Sequence, residues 1–354
     1  MTQVKAGLPR AGVFGKETAR LKVSVRKISE VTGFSPATVS HALNHRKGVN
    51  AETAEKILLA AQELGYYGEK RINRVKFVII KKQGFVVEDT PFFPQMITGV
   101  EKEARLRGLD VTLTHLDMKS PSFQDQLKEL EQDRSSAYIL LGTELTREDA
   151  PSIRDFTTPV VVVDYWDPEL PYDGIMINNV DSAILAGQYL IDHGHRSIGY
   201  LKGSLRIRPF VSRQVGFCEA LRSAGLTLEK RFEVPLTPTM DGAYADMRMY
   251  LAGQKELPGA FFADNDMIAL GAMKAMWEAG IRIPEDVSVI GFDDLPYSSI
   301  SNPPLTTMRV PKQMMGRLAV RRIVSKIEKP EEPRIKIQVC TELVARESVR
   351  NAGA

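Results

Sequence analysis

Polar side chains with ligand-binding chemistry follow two short apolar runs in the second half of the chain. Asp293 and Asp294 come directly after the run 287–292, and Asn265 ends the run that begins at Ala260. If both runs are parallel strands, their carboxyl ends line one crevice, and one or both aspartates project into it. A carboxylate accepts hydrogen bonds, whereas an amide both accepts and donates them. This set therefore suits a small polar ligand that offers both donors and acceptors.

Three charged residues near this set each have two possible roles. Asp266 either faces the crevice or caps the helix that follows it. Arg206 and Arg208 lie in a basic loop near the expected mouth of the crevice. They either favour an anionic effector, such as a sugar phosphate or a sugar acid, or are simply solvated.

The residue patterns do not predict an enzyme. The chain contains no GxSxG, P-loop or HExxH pattern. Adjacent residues of a strand point in opposite directions, so Asp293 and Asp294 do not form the carboxylate pair of a glycosidase. Cys218 and Cys340 have neither CxxC spacing nor a nearby His cluster, so we expect two buried apolar side chains. We expect no catalytic residue, metal or cofactor.

The elements that must position these residues alternate between apolar runs and helical stretches. Runs rich in β-branched and aromatic residues alternate with amphipathic stretches from 77 to 164, and the alternation repeats from 197 to 292. Such alternation is typical of βαβ units and parallel sheets. The 354 residues also suit two or three folding units. We therefore predict two sheets of similar build, with a crevice at their carboxyl-end edges.

The charge is distributed unevenly along the chain. Residues 1–82 contain 16 Lys or Arg and 6 Asp or Glu, a net charge of +10, whereas the remainder carries −7. A basic head on an acidic body favours a polyanionic partner, although a solvated basic tail gives the same balance. The residues 1–22 lack the apolar core of a signal peptide, and no stretch approaches the roughly 18 apolar residues of a membrane span. We expect a cytoplasmic protein.

Three short helices are predicted after a flexible basic arm at 1–22. Gly33 closes the first helix, Ser35 caps the second with Pro36 at its first position, and Asn50 caps the third. The tight turn between the first two helices predicts an all-α helix-turn-helix domain.

The segment 23–66 resembles the DNA-reading headpiece of the lactose-repressor (LacI/GalR) family. The match is carried by GFSPATVSHALN from Gly33, by VNAET and by ELGY. Downstream, NDMIALGA from Asn265, IPEDVSVIGFDD from Ile283, PLTT and TELVARES are similar to the same family. The joint order of these motifs, over about residues 23–349, is far more specific than any one of them.

This resemblance implies a sequence-specific DNA-binding transcriptional regulator, a repressor, that binds a near-palindromic operator in double-stranded DNA as a homodimer. It implies a body like that of periplasmic sugar-binding proteins: two doubly wound parallel-sheet α/β subdomains that exchange strands and hold a small effector, a sugar or sugar derivative. The expected domains are the arm 1–22, the DNA-binding domain 23–66, a basic linker 67–76, a first sensing subdomain 77–175 with 311–339, and a second 176–310 with 340–354.

In helix-turn-helix domains the second helix enters the major groove. Pro36 and Ala37 can offer bases only apolar contact, whereas short polar side chains suit phosphate. The family often has arginine at the position of His41, so we expect an altered or weaker preference for guanine there. The expected DNA-binding residues of this region are Ser35, Pro36, Ala37, Thr38, Ser40, His41 and Asn44.

The linker is shorter than is usual in the family, where a small hinge helix wedges a leucine into the minor groove. Ile72 is the best remaining wedge, and Arg71 and Arg74 can contact phosphate or a narrow minor groove. A plain basic linker explains the same residues.

The resemblance also implies the effector-binding residues. Arg213 matches a basic ligand contact of the family, with a surface salt bridge as the alternative, and Asp293 is the favoured carboxylate. Aromatic rings suit the apolar face of a sugar, but each aromatic candidate could equally be a core residue. The expected effector-binding residues are Phe92, Phe93, Tyr165, Arg208, Arg213, Asn265 and Asp293.

Two other functions remain compatible with parts of the sequence. The body could recognise a partner protein instead of a metabolite. A sugar-binding transport protein would share the body, but it would need a signal peptide where this chain has a basic helix-turn-helix.

Overall fold

A computed structural model of the chain describes residues 24–43, 48–64, 72–88, 90–253 and 256–353. The chain divides into two units, residues 1–71 and 72–354. We call the described part of the first unit the headpiece and that of the second the body. No helix in these described ranges has the length and apolar character that a membrane span requires.

The headpiece consists of the helices α1 (Val25–Thr32), α2 (Pro36–Leu43) and α3 (Ala51–Glu63). Capping side chains fix the starts of all three, because Ser24, Ser35 and Asn50 each accept the backbone N–H three residues later, at 3.3, 3.1 and 2.7 Å. Gly33, with φ of 73°, ends α1 in the left-handed region and turns the chain into α2. The predicted helix-turn-helix is confirmed. Its buried core is made of Ile28, Val39, Ala42, Ile57 and Ala61.

The body alternates strands and helices throughout. Its strands are β1 (Arg74–Lys81), β2 (Asp110–Asp117), β3 (Ser136–Leu141), β4 (Val160–Val163), β5 (Asp173–Ile177), β6 (Ile198–Gly203), β7 (Glu233–Leu236), β8 (Ala260–Ala263), β9 (Ser288–Asp293), β10 (Thr306–Arg309), β11 (Lys336–Val339) and β12 (Glu342–Val344). Its α-helices are α4 (Phe92–Leu106), α5 (Phe123–Gln132), α6 (Asn179–Asp192), α7 (Arg208–Ser223), α8 (Met240–Gly253), α9 (Asp266–Glu278) and α10 (Lys312–Glu328). Short 3₁₀ turns lie at Arg147–Ile153, Lys230–Phe232 and Pro296–Ser299.

These strands form two six-stranded sheets, in the orders β11-β5-β4-β3-β1-β2 and β12-β10-β9-β8-β6-β7. The first sheet is parallel throughout, and the second is parallel except for the antiparallel edge strand β12. The central strands β3, β4, β8 and β9 are fully buried, as expected of strands covered by helices on both faces. The predicted pair of doubly wound parallel sheets is confirmed.

The chain crosses from one sheet to the other three times: after β5, between β10 and α10, and between β11 and β12. Each subdomain is therefore discontinuous in sequence. The first crossing follows Ile177, two residues beyond the boundary expected at 175. We call the part built on the first sheet the first subdomain and the part built on the other sheet the second.

The linker predicted at 67–76 is wrong at its end, because β1 begins at Arg74. Val75 is fully buried and pairs with Val111 of β2, while Arg74 and Lys76 take the alternate, half-buried positions. Basic residues at these alternate positions hide the start of the strand in the sequence.

The expectation of two buried cysteines is also wrong. Cys218 is half-buried on α7, where burial raises the pKa of its thiol, and Cys340 is exposed in the connection between β11 and β12. Both are free thiols. The position of Cys340 follows from its place in a crossing segment, because connections between elements run over the surface.

Three helix pairs of the body approach so closely that glycine is required at their contacts. A Cβ on Gly316 of α10 would lie 2.2 Å from the carbonyl oxygen of Met96 in α4. Gly216 of α7 and Gly271 of α9 make equivalent approaches to α6 and α8. These contacts set the distance between the helices that cover each sheet.

We predict that Gly316→Ala lowers the free energy of unfolding by about 1–3 kcal/mol, because the new methyl group forces the two backbones apart. Gly253→Ala is the matched control, since no atom lies within 4 Å of its Cβ position, and it should be neutral or stabilising by up to about 1 kcal/mol. Urea unfolding of both variants measures the difference. Equal midpoints would show that the α4–α10 contact can relax.

Candidate effector crevice and DNA-reading helix

A cavity lies between the carboxyl-end edges of the two sheets. It contains about 330 Å³ of space free of protein atoms, part of it open to solvent. The first subdomain lines it with Val86, Thr90, Phe92, Phe93, Thr143, Asp164 and Ile177. The second subdomain lines it with Ile207, Pro209, Phe210, Arg213, Asn265 and Asp293.

Arg213 of α7 is held rigidly in this cavity. Its side chain is only 4% exposed, so the alternative of a surface salt bridge does not hold. Its Nε donates to Asn179 Oδ1 at 2.8 Å, its Nη1 donates to the carbonyl oxygen of Asp264, and its Nη2 lies 3.4 Å from Asp293 Oδ1. The guanidinium also stacks 3.7 Å from the ring centre of Phe292. These contacts leave it fixed with one edge directed to Asp293.

Two buried carboxylates share the cavity with this guanidinium. Asp293 ends β9, and Asp164 directly follows β4 on the other sheet. Asp164 Oδ2 accepts a hydrogen bond from Thr143 Oγ1 at 2.9 Å, but its Oδ1 is buried without a partner among the described residues. Burial raises the pKa of each carboxyl group to about 6, and the charge of Asp164 adds to the shift at Asp293. The cavity therefore offers acceptors that lack donors.

Asp266 does not cap α9, as one of its two expected roles required, because Asn265 is the cap. Asn265 caps α9, because its Oδ1 accepts the N–H of Ile268 at 2.9 Å, and its amide nitrogen is left to offer to a ligand. Asp266 is not the cap. It accepts from the Leu295 N–H and from the hydroxyls of Ser298 and Thr307 at 2.6–2.8 Å, and burial raises its pKa to about 7. Asp266 thus holds the turn that follows β9.

The remaining charged candidates are engaged outside the cavity. Asp294 pairs with Arg309 at 2.7 Å and with Arg346 at 2.5 Å. Arg206 pairs with the buried carboxylate of Asp264 at 2.5 Å. Arg208 is exposed and donates to the carbonyl oxygen of Trp166, which lies on the first subdomain. The basic loop therefore brings no free cation into the crevice walls described above.

Of the effector-binding residues expected from the sequence, five line the cavity and two do not. Those in its walls are Phe92, Phe93, Arg213, Asn265 and Asp293. Tyr165 is a core residue whose hydroxyl donates to the carbonyl oxygen of Thr146 at 3.0 Å. Arg208 lies 5.9 Å from the Tyr165 ring centre and bridges the mouth of the crevice.

In the headpiece, the second helix presents the expected DNA-reading residues at its surface. Pro36, Ala37 and His41 are exposed, and Ser40 is half-buried. The hydroxyls of Ser35 and Thr38 lie 2.8 Å apart at the start of α2. Asn44 and Arg71 lie outside the described residues.

Ile72 and Arg74, which were expected to contact the minor groove or phosphate, lie at the start of the body. Ile72 packs half-buried against the core of the body, and Arg74 is the first residue of β1. Both residues therefore belong to the body.

Comparisons with known proteins agree with this architecture. Residues 25–69 match the model of bacterial regulatory proteins of the lacI family, and residues 188–349 match a periplasmic binding protein-like domain. The repressor PurR of Pasteurella multocida is 33% identical over 332 residues, 93% of this chain and 99% of its own. The ribose operon repressor of Escherichia coli is 30% identical over 92% of this chain and 99% of its own.

This chain belongs to the LacI family.

Solved structures support the assignment. The transcriptional regulator CelR in complex with cellobiose is 27% identical and superimposes with a TM-score of 0.70 over 92% of this chain and 99% of its own. The lac repressor dimer bound to operator and an anti-inducer is 23% identical, and its TM-score of 0.69 over 93% of this chain and 99% of its own shows the shared fold. Family membership makes the headpiece a DNA-binding domain and the body a ligand-binding one.

Asp164 lines the cavity of this LacI-family chain but is not among the residues expected from the sequence. It directly follows β4, and Asp293 is the last residue of β9, so the rule about strand ends applies to both. Glu144 has no such signal. Its carboxylate accepts the N–H groups of residues 82, 83, 84 and 86 at 2.7–3.1 Å, and so it holds the loop that brings Val86 to the cavity.

We predict that Asp164→Asn raises the melting temperature of the ligand-free protein at pH 8. The folded-state pKa is raised to about 6, so folding at pH 8 keeps a charge in a site that favours the protonated form. Removing it should stabilise the fold by about 1–3 kcal/mol. The gain should shrink as the pH falls through about 6, because folded Asp164 is then protonated.

Asp294→Asn is the matched control. Burial acts to raise the pKa of Asp294, but hydrogen bonds from Arg346 and Arg309 outweigh it and lower the pKa. Its substitution should therefore lower the melting temperature at pH 8. A gain for Asp164→Asn that is equal at pH 5 and pH 8 would mean that buried charge is not its source.

Proposed function

We propose that this LacI-family protein is a transcriptional repressor whose DNA affinity is controlled by a neutral, hydroxyl-rich small molecule, most simply a sugar. The observation that carries the effector class is the buried carboxylate of Asp164, whose Oδ1 has no hydrogen-bond partner among the described residues and which shares the cavity with the carboxylate of Asp293. Its curated relatives are repressors, and we propose that it likewise acts by binding rather than by catalysis, in the cytoplasm where it reaches DNA.

Sugar hydroxyls complement the cavity in two ways. They donate to Asp164 and Asp293, and they accept from the Arg213 guanidinium and the Asn265 amide. The rings of the phenylalanines in the wall offer apolar surface to the face of a sugar ring.

The charge of the cavity argues against the anionic effector considered from the sequence. Two carboxylates and one guanidinium line it, and Arg206 is already paired with Asp264. A phosphate would have to enter beside Asp164 and Asp293. The ribose operon repressor among the relatives and the cellobiose complex among the similar structures also favour a neutral carbohydrate.

An exposed apolar face of the second subdomain supports the proposed homodimer. Trp277 is 70% exposed and Ile300 is 78% exposed, and they border adjoining hollows that share Leu270 and Ser301. A second copy of the chain is the occupant we propose, since an isologous contact buries the same face on both copies. Two headpieces would then read the two halves of a near-palindromic operator.

A partner protein is the second candidate for this apolar face. It would use the body as a protein-binding domain and leave the crevice without a role. The buried Oδ1 of Asp164, which lacks a partner in the described part of the chain, favours the small-molecule effector.

Selection of genomic fragments by the purified protein at moderate salt tests the DNA-binding proposal. We expect the retained fragments to share a motif with two inverted half-sites. A single half-site would contradict the homodimer, and retention without a shared motif would contradict sequence-specific binding.

His41→Ala should weaken binding to the selected site about tenfold and leave non-specific binding unchanged, because His41 is expected to contact a base edge. Thr38→Val is the comparison, and it should weaken both, since Thr38 is expected to contact phosphate.

Intrinsic fluorescence tests the effector class. Trp166 lies at the mouth of the crevice, with its carbonyl oxygen bound by Arg208 and Lys336 Nζ 4.7 Å from its ring centre. Trp277→Phe removes the exposed second tryptophan, so the remaining signal reports the crevice. In this variant we expect D-ribose or cellobiose to change the emission, and the corresponding sugar phosphates to bind at least tenfold more weakly.

Arg213→Met should abolish this response. Tight binding of a sugar phosphate would overturn the neutral-ligand proposal. The absence of a response to either sugar would overturn the carbohydrate proposal.

A further inference from the structure

Lys312 has an unusual place at the junction of the two subdomains. It is the first residue of α10, directly after the chain has crossed from β10, and it is only 3% exposed. Its Nζ donates to the carbonyl oxygens of Asp293 and Asp294, the latter at 3.1 Å, and lies 3.5 Å from that of Val310. Its partners are thus carbonyl groups of a turn rather than the side chain of an acid.

The backbone of that turn explains why two carbonyl groups converge on one ammonium. Asp293 has a φ of 119° and Asp294 a φ of 54°. Positive φ is unfavourable for residues other than glycine, so it persists only where the surroundings impose it. The ammonium of Lys312 offsets this cost by charge-assisted hydrogen bonds to both carbonyl groups.

Other contacts of the turn come from the second subdomain. Asp266 accepts the Leu295 N–H, and Arg309 and Arg346 hold the Asp294 carboxylate. Lys312 approaches instead from α10, which packs on α4 of the first subdomain through Gly316. The lysine therefore links the aspartate-bearing turn to the opposite wall of the crevice.

The same ammonium also meets that opposite wall directly. Its Nζ lies 5.5 Å from the ring centre of Phe92, which begins α4 and lines the cavity. Lys312 itself is not among the lining residues. Lys312 thus contacts the backbone of Asp293 on one side of the cavity and the ring of Phe92 on the other, although it does not line the cavity itself.

We propose that Lys312 is a positioning residue for effector binding. Its ammonium sets the turn at 293–294 so that the Asp293 carboxylate faces the ligand, and it ties that orientation to the position of Phe92. The inference rests on the proposed effector site but makes a separate claim, since Lys312 would control affinity without touching the effector.

Charged groups around the ammonium make this role measurable. Asp293, Asp266 and Asp294 face it from the second subdomain, together with Arg309. Burial lowers the pKa of Lys312, while the three carboxylates oppose that change. Removing the ammonium should therefore make the charged form of Asp293 less favourable.

Lys312→Met and Lys312→Arg in the full chain provide the test, with effector binding measured by titration calorimetry so that Trp277 of the proposed dimer face stays unchanged. Methionine keeps the apolar stem but has no charge, whereas arginine keeps the charge and the donors. With D-ribose and cellobiose as probes, we expect Lys312→Met to weaken binding about tenfold or more, and Lys312→Arg to recover most of the loss. The pH midpoint of binding should rise in Lys312→Met, because Asp293 then takes up a proton more readily. A fall in melting temperature with unchanged affinity and pH midpoint would overturn the proposal.

A ligand-free double-mutant cycle separates this inference from the proposed effector. Asp293→Asn should stabilise the protein at pH 8, and should do so more strongly in the Lys312→Met background, where the aspartate charge has lost the favourable field of the Lys312 ammonium and keeps only that of Arg213. Additive effects would show that Lys312 does not act on Asp293. If the wild type binds neither sugar, the effector proposal fails, while this cycle still decides the role of Lys312. If Lys312→Met does not fold, the same cycle is measured with Lys312→Gln.

Discussion

The carboxylates of Asp164 and Asp293 lie buried between two sheets, with the guanidinium of Arg213 as the one cation in the wall that they share. Burying a charge is unfavourable unless hydrogen bonds replace the lost water, and Asp164 Oδ1 has no such partner among the described residues. The same unfavourable burial of charge raises the pKa of both carboxyl groups. A ligand with several donors would relieve it, so the penalty that weakens the empty body would favour binding of the effector we propose.

Keeping these groups in place requires support from the surrounding backbone. Asp293 and Asp294 hold positive φ angles, and Lys312 and Asp266 secure the turn from opposite sides. Glu144 does the same for the loop that carries Val86, by accepting four consecutive or near-consecutive backbone N–H groups. In both places a buried charged side chain is satisfied by main-chain groups, and the result is a fixed loop at the edge of a sheet.

The three crossings of the chain connect the two walls of the crevice, so a ligand that binds both walls can change how they are arranged. The first sheet is completed by β11 and the second by β12, each after the chain has visited the other sheet. The connections after β5, β10 and β11 therefore join the two sheets. A ligand that bonds to Asp164 on one wall and Arg213 on the other would favour one arrangement of the sheets over others, by as much as its affinity differs between them. Arg208, which donates to the carbonyl oxygen of Trp166, contributes one hydrogen bond between the two subdomains.

The sequence by itself determined the three helices of the headpiece, because caps such as Ser35 and a left-handed Gly33 act within a few residues of the chain. It also determined the parallel sheets and the position of Asp293, since strand ends follow from local apolar runs. It did not reveal the partners of long side chains. Arg206 meets Asp264, Arg208 meets Trp166, and Tyr165 turns into the core, each across a long separation in sequence. Only the tertiary structure decides which group a side chain reaches and whether a buried oxygen, such as Asp164 Oδ1, is left without a donor, because both depend on segments that the fold alone brings together.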